Sequence, residues 1–378
     1  MLFHENSERK KISQLFIFEI VFLRVKINLP RMYRIIRPLL WTLEPELAHN
    51  LAIKLIKFGF LNFYKFDTPL NLEVSVGDLS FPSPVGLAAG FDKNAEIFYE
   101  LFKIGFGFVE VGTITPVPQT GNPKPRIFRL EEDKGLINRL GFNNIGLLAA
   151  TQNITKKIDL KRKQKLGVNI GPNKESKDRV RDYIDCLRKV DELADYIAIN
   201  ISSPNTPNLR EFENTKIDDL LREIELNKLS KKPIFVKISP DLENKQIASI
   251  IESILKFNLD GLILTNTTTT RDSRLKSKFG TQEGGLSGLP LSELSNQKLS
   301  FAYSITNGAI PIIGVGGVFS GKDVYEKMKL GANLVQLYTS MVYEGPGLIK
   351  NINNEIEMLM NNDGIKNLSE IIGINRKA

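Results

Sequence analysis

The sequence predicts an α/β fold, a (β/α)8 TIM barrel with a small helical unit in front of it. Eight short apolar runs recur after residue 84, at 85–89, 107–112, 165–170, 196–201, 233–238, 261–265, 311–316 and 334–338. Segments of helical period lie between them, among them 178–189, 244–256, 321–330 and 347–358. Strand and helix alternating eight times is the pattern of a closed parallel barrel. A doubly wound open sheet is the alternative, but it usually has fewer strands and carries its phosphate loop after the first one. The second observation is that nearly every run ends in small polar residues, at the end of a barrel strand where ligands are held.

Composition narrows the chemistry. The chain has 378 residues, 42% hydrophobic and 25% charged, enough to bury a sizeable core. Cys186 is its single cysteine, so there is no disulfide framework and no cysteine-rich metal site. The two histidines, His4 and His49, both fall in the first fifty residues. The main body is therefore expected to lack a histidine triad or zinc site and to use Ser, Lys, Asp, Glu or Tyr for proton transfer.

Net charge is +8, and residues 1–66 hold most of it, with eleven Lys and Arg against five Asp and Glu. A uniformly basic nucleic-acid binder is excluded. Residues 1–31 contain one apolar patch, 15–23, broken by Glu19 and too short to span a bilayer. They read as a poorly defined extension or as an upstream start. Residues 32–66 predict two short helices, with Pro38 early in the first and Pro45 in the first turn of the second. Leu47, Leu51, Leu55 and Phe58 share a face of the second helix, while Lys54 and Lys57 lie elsewhere. The pattern leaves two readings open: a helical pair packed on the barrel, or an amphipathic hairpin at a membrane surface with Trp41 at its boundary. Residues 72–81 read as a hairpin turning at Gly77 and Asp78, leading into a barrel that occupies 67–378.

The strand ends collect amides, hydroxyls and two lysines. In order they carry Ala89, Gly90, Phe91, Asp92, Lys93 and Asn94; Gly112 and Thr113; Asn169; residues 200–205; Lys237; Thr265, Asn266 and Thr267; Gly316 and Gly317; Tyr338 and Thr339. Taken alone, Asn200, Ser203, Pro204 and Asn205 describe a turn at a strand end. Amides at so many strand ends instead suit a planar ligand with amides of its own. Gly316 and Gly317, after the seventh strand, let the backbone approach a phosphate. Lys93 and Lys237, emerging from strands, could form a Schiff base or steady an anion. The long insertion 115–144, with four prolines and the run 135–144, reads as a functional cover.

These segments resemble the class 2, quinone-linked dihydroorotate dehydrogenases. The resemblance rests on residues 88–94, 112–116, 137–144, 168–171, 200–206, 236–241, 265–268, 284–288, 314–317 and 336–338, which fall in the family's order and span about 32–351. It implies an FMN-containing barrel that oxidises dihydroorotate to orotate in pyrimidine biosynthesis and passes electrons to a membrane quinone. By matching position, Ala88, Ala89, Gly90, Phe91, Asp92, Thr113, Asn169, Asn200, Lys237, Thr265, Gly288, Gly317, Tyr338 and Thr339 would line FMN. Lys93, Asn138, Arg139, Leu140, Gly141, Phe142, Asn200, Asn205, Asn266 and Thr267 would hold the substrate, and Ser203 stands where the class 2 base does.

Soluble class 1 members use a cysteine as base and lack the helical extension, so Ser203 and the basic N-terminal unit both point to class 2. Cys186, on a predicted helix, is then a packing residue. Two departures stand out. Leu289 replaces a residue that is usually basic, and the extension before Met32 has no family counterpart. The resemblance implies a monomer, peripheral on the cytoplasmic face of a bacterial inner membrane, with no nucleic-acid partner. A class 1 enzyme, a silent flavin- or phosphate-binding barrel and a lysine aldolase are the alternatives.

Overall fold

The computed structural model describes residues 29–375 apart from 62–65, 67, 160 and 215. The apolar patch at 15–23 and the end of the expected helical pair at 62–65 lie outside the described residues.

Helix α1, Leu29–Trp41, begins before the expected boundary at 32 and carries Pro38 late rather than early. At this position proline leaves the Arg34 carbonyl, four residues back, without its usual intrahelical donor. Helix α2, Pro45–Lys57, starts as its sequence predicts: Pro45 opens it and the Glu44 carboxylate accepts from the Leu47 N–H at 2.9 Å. Both helices lie against the barrel. Tyr33 OH donates to the Val342 carbonyl at 2.5 Å and the Arg37 guanidinium to the Tyr343 carbonyl at 2.9 Å. Trp41 meets the Tyr343 ring edge-on, centroids 5.1 Å apart. None of the described helices is long and apolar enough to cross a membrane.

A hairpin of β1 (Val74–Val76) and β2 (Leu79–Phe81) turns at Gly77, whose φ of +55° favours glycine. The chain then enters β3 (Val85–Leu87) and β4 (Phe108–Ile114). Two cover strands follow, β5 (Ile127–Leu130) and β6 (Gly135–Asn138). Next come β7 (Lys165–Ile170), β8 (Tyr196–Asn200), β9 (Ile234–Ile238) and β10 (Gly261–Leu264). A third cover strand, β11 (Gly285–Gly288), precedes β12 (Ile312–Val315) and β13 (Leu334–Leu337). The eight strands β3, β4, β7, β8, β9, β10, β12 and β13 pair in parallel and close into a barrel, β13 returning to β3. Each lies within two residues of its sequence-predicted run at both ends. The helices at Arg179–Val190, Asn244–Lys256, Gly321–Lys329 and Leu348–Asp363 also fall where the periodicity puts them, the last extending further. Cys186 is buried in the first of these, where burial pushes its thiol well up from the ordinary range.

The interior is layered because alternate residues of each strand point inward. The lowest layer is aromatic. Phe81, Phe108, Tyr196 and Phe235 form a chain of edge-on rings with successive centroids 5.4, 6.2 and 5.5 Å apart. Glycines on neighbouring strands make room for them. A Cβ on Gly86 would lie 2.3 Å from the Phe108 ring, one on Gly167 2.1 Å from Tyr196, and one on Gly261 2.7 Å from Phe235. Above the rings sits Glu110, fully buried. Asn169 is bonded to it, and above them Thr113, Asn200 and Lys237 reach the barrel mouth.

The insertion after β4 folds as the expected cover. Strands β5 and β6 pair antiparallel, and β11 adds to β6 from a segment almost 150 residues later, completing a three-stranded sheet beside the mouth.

The ring layer makes one prediction. Gly167→Ala forces a methyl into the Tyr196 ring and should cost about 1–3 kcal/mol, read as a lower midpoint in urea denaturation.

Candidate functional site

The cavity above the barrel mouth is built by seven strand ends and closed on one side by the cover sheet. Among the sequence-predicted residues it is lined by Ala88, Ala89, Gly90, Lys93, Thr113, Asn138, Leu140, Gly141, Phe142, Asn200, Ser203, Asn205, Lys237, Thr265, Asn266, Thr267, Gly288, Gly317, Tyr338 and Thr339. Four others stand apart. Phe91 turns to a neighbouring apolar cavity, and Asp92 is buried below the rim, accepting from the Glu96 and Ile97 N–H groups at 2.7 and 2.8 Å. Burial raises Asp92 to about 6 against those hydrogen bonds, and its position makes it a loop-organising residue. Asn169 lies one layer beneath the cavity. Arg139 projects away from it, donating to Gln282 Oε1 at 3.0 Å and stacking over Phe128. The arginine alternates with Asn138 along the end of β6, so pleating sends the two side chains to opposite faces.

The amides are wired to one another and to the barrel centre. The Glu110 carboxylate accepts from Asn169 Nδ2 at 2.8 Å, Gln336 Nε2 at 2.7 Å and Tyr196 OH at 3.0 Å. Asn169 Oδ1 in turn accepts from Thr113 Oγ1 at 2.6 Å and from Asn200 Nδ2 at 3.3 Å. Asn200 Oδ1 accepts from Asn266 Nδ2 at 3.3 Å, and Asn205 Nδ2 donates to Asn138 Oδ1 at 3.2 Å. This array fixes which edge of each amide faces the cavity.

Lys237 Nζ lies 3.9 Å from Glu110 Oε1 at the cavity floor. Burial lowers its pKa and the nearby carboxylate opposes that. Lys93 donates to the Gly90 carbonyl at 2.7 Å, and burial brings it down to about 8, so it still carries its charge at neutral pH. Ser203 is buried with its Oγ accepting from the Asn205 N–H at 3.3 Å. Thr206, in the same loop, is buried with its Oγ1 unpartnered among the described residues.

At the other end of the cavity Gly316 and Gly317, with φ of +119° and +72°, turn the backbone toward it, and a Cβ on Gly317 would strike Ser292 at 2.3 Å. Thr265 Oγ1 and Ser340 Oγ line the cavity, buried and without a hydrogen-bond partner among the described residues. Buried hydroxyls are rarely left unmatched, so a polar ligand group is the fitting complement. Neither Ser340 nor Ser287, whose hydroxyl is 2.9 Å from that of Thr339, was singled out by the sequence. A serine near a strand end or helix start carries no special signal until the cavity is drawn.

A second, mostly apolar cavity lies between the helical pair and the barrel. Ile36, Leu40, Ala48, Ala52 and Ile56 wall it, and His49, Phe91, Arg129 and Tyr338 lie along it. It shares Ile127, Leu136 and Tyr338 with the first cavity, so these three side chains form the partition. Arg129 also ties the helices down, donating to the Trp41 and Leu43 carbonyls at 3.0 and 3.2 Å. Below α2 the buried Glu46 carboxylate meets Arg126 through two hydrogen bonds of 2.7 and 2.9 Å. His49 corrects an expectation: although early in sequence, it reaches the barrel rim and packs edge-on against Phe91 at 5.2 Å. Burial, and then the Lys93 charge, push it down to about 3, so its imidazole is neutral at physiological pH. Arg129 and His49 escaped the sequence reading because only the folded helical pair brings them together.

A barrel whose rim holds oriented amides, one buried and one half-buried lysine and a serine, beside an apolar passage, is that of an enzyme acting on a polar molecule. The family model for dihydroorotate dehydrogenase matches residues 71–360. The chain is 46% identical over 338 residues to the dihydroorotate dehydrogenase (quinone) of Actinobacillus pleuropneumoniae, covering 86% of this chain and all of that one. It is 43% identical to the mitochondrial enzyme of Mus musculus, also called dihydroorotate dehydrogenase (quinone), covering 89% and 88% of the two chains. The ligand-free crystal structure of the Eimeria tenella protein superposes with a TM-score of 0.83 at 41% identity, covering 88% of this chain and all of that one. This chain belongs to the dihydroorotate dehydrogenase family and is an oxidoreductase.

Proposed function

We propose that this protein oxidises dihydroorotate to orotate in pyrimidine biosynthesis, with Ser203 as base and FMN as hydride acceptor, and passes the electrons to a membrane quinone. The observation that carries this reading is the single cavity in which Ser203, Lys93 and the amides of Asn138, Asn205 and Asn266 meet, with the apolar passage on its other flank.

Dihydroorotate is a cyclic diamide with a carboxylate, and its oxidation to orotate flattens the ring. The fixed amides of Asn138, Asn200, Asn205 and Asn266 match its donors and acceptors, and Lys93 offsets its charge. The unpaired hydroxyls of Thr265 and Ser340 and the glycine turn at 316–317 suit a cofactor that is polar along one edge and phosphorylated at one end. FMN has that form, and Lys237, Thr113, Asn200, Gly288, Gly317, Tyr338 and Thr339 would hold it. FMN, when bound, supplies an acceptor for hydride and a carrier of the resulting electrons. The protein's own part is then proton management and positioning.

Ser203 would take a proton from the substrate's C5 as hydride leaves C6. A serine hydroxyl is a weak base, so the proton must be passed on, and the buried Thr206 hydroxyl in the same loop is the neighbour suited to receive it. Lys237, held by the Glu110 carboxylate, would steady negative charge at the cavity floor. The cover sheet and Phe142 exclude water from the reacting face.

The helical unit, residues 32–66 with the start of α1, would serve the quinone. Its apolar face is turned to solvent, Ile35, Leu39, Leu47 and Phe58 being 78, 70, 54 and 88% exposed. An exposed apolar face flanked by Lys54 and Lys57 suits an interface rich in anionic lipid. The passage behind it would admit a hydrophobic quinone as far as Arg129, His49 and Tyr338. Both cavities are complete within one chain, which supports a monomer, and the basic helical unit supports peripheral attachment on the cytoplasmic face of a bacterial inner membrane. Residues 1–28 take no part in this reading.

Ser203→Ala should lower the rate of flavin reduction by dihydroorotate by about 100-fold or more with FMN content unchanged; stopped-flow reduction at the wild-type rate would sink the base assignment. Ala52→Phe narrows the passage and should slow flavin reoxidation by a quinone while reduction by dihydroorotate proceeds normally. Orotate affinity, read from the flavin spectrum, should hold below pH 8 and fall by up to about tenfold per pH unit above it, because Lys93, lowered to about 8, then gives up the charge that pairs with the carboxylate.

A further inference from the structure

The loop after β8 continues past Ser203 into a turn at Leu209–Glu213, pinned by buried Leu209 and Phe212 and by the Glu213 carboxylate, which accepts from the Ser239 N–H at 2.5 Å. Arg210 projects from that turn into the gap between three strand-end loops and spends its guanidinium on all of them. Its Nε donates to the Ser202 carbonyl at 3.1 Å, its Nη2 to the Thr267 carbonyl at 3.2 Å, and its Nη1 to Asp241 Oδ2 at 2.8 Å. Asp241 in turn gathers the β10 loop, accepting from the Thr269 N–H and Oγ1, both at 2.9 Å, and from the Thr268 hydroxyl.

The two carbonyls are informative. Ser202 is the residue before Ser203, and Thr267 the residue after Asn266. Turning the Ser202 peptide plane swings the Cα of Ser203, and a serine side chain is too short to compensate. The planar fork of arginine can reach three diverging acceptors at once, whereas the single ammonium of lysine cannot hold all three in a fixed geometry.

We propose that Arg210, braced by Asp241, is the positioning residue for Ser203, holding the base and the Asn266 and Thr267 contacts as one unit facing the substrate carbon. The inference rests on the reading of Ser203 as base. Arg210 touches neither substrate nor cofactor in this scheme; it acts through the backbone on either side of the groups that do.

The test is anaerobic stopped-flow reduction of the FMN-loaded full chain by dihydroorotate, for wild type, Ser203→Ala, Arg210→Gln, Arg210→Lys and Asp241→Asn. Both Arg210 variants should reduce up to about 100-fold more slowly at saturation, the scale of an ångström-sized misplacement, with FMN content and quinone reoxidation unchanged. Substrate deuterated at C5, which loses the proton, should show an isotope effect that grows in these variants more than that of substrate deuterated at C6, because proton removal is the step that suffers. Should the Arg210 variants not fold, Asp241→Asn, which leaves the guanidinium in place but unbraced, should show the same isotope signature with a smaller loss. Reduction at the wild-type rate in variants that fold overturns the proposal, and so does a fall in rate explained by lost FMN or one in which the C5 effect does not grow. If wild type itself is not reduced, the functional reading has failed; if Ser203→Ala is reduced normally, the base assignment has failed; in either case this inference falls with it.

Discussion

The buried carboxylate of Glu110 is the constraint on which the upper barrel depends. A charge in that position has no water to solvate it and must be met by donors from several strands at once. Asn169 from β7, Tyr196 from β8 and Gln336 from β13 supply them, and the Lys237 ammonium from β9 stands 3.9 Å away. The strands are thereby held in one register around a polar centre. From there the order passes outward, since Asn169 orients Thr113 and Asn200, and Asn200 orients Asn266. The directions in which Asn200 and Asn266 point are thus set by a group that does not line the cavity.

The rim divides into two sides with different physics. On one, neutral amides and a charged lysine face a polar cavity. On the other, the α1 and α2 helices wall an apolar one, to which His49, Arg129 and Tyr338 bring polar groups. The helices hold there through Ile53 and Ile56, packed on the core, and through directional contacts, the two-pronged Glu46 to Arg126 bridge and the Arg129 bonds to Trp41 and Leu43. Leu47 and Phe58 are left free to face outward.

Much of this architecture is written in local pattern. The eight runs were legible because a strand buried on both faces is a short continuous apolar segment, and the cover loop because of its prolines and amides. Pro38 misled, since a proline suggests a helix start and here falls near a helix end. The strand at Gly285–Gly288 was visible only as a glycine motif, because its partner β6 is remote in sequence. The same remoteness hid the meeting of Arg129 and His49 along one cavity, and it made a histidine fifty residues in seem irrelevant to the barrel. Residues at strand ends could be grouped by their order alone, but order does not give side-chain direction: Asn138 and Arg139 are neighbours, and only the asparagine faces the cavity.

The aromatic floor of the barrel has a consequence for transport. Four rings, three of them seated against a glycine that leaves no room for a larger residue, form a packed floor under the polar centre. With the floor packed in this way, the rim is the open side for whatever is released above Glu110. The molecule behaves as a vessel with one opening, in which separate doorways for a polar and an oily reactant have to be cut side by side at the same end.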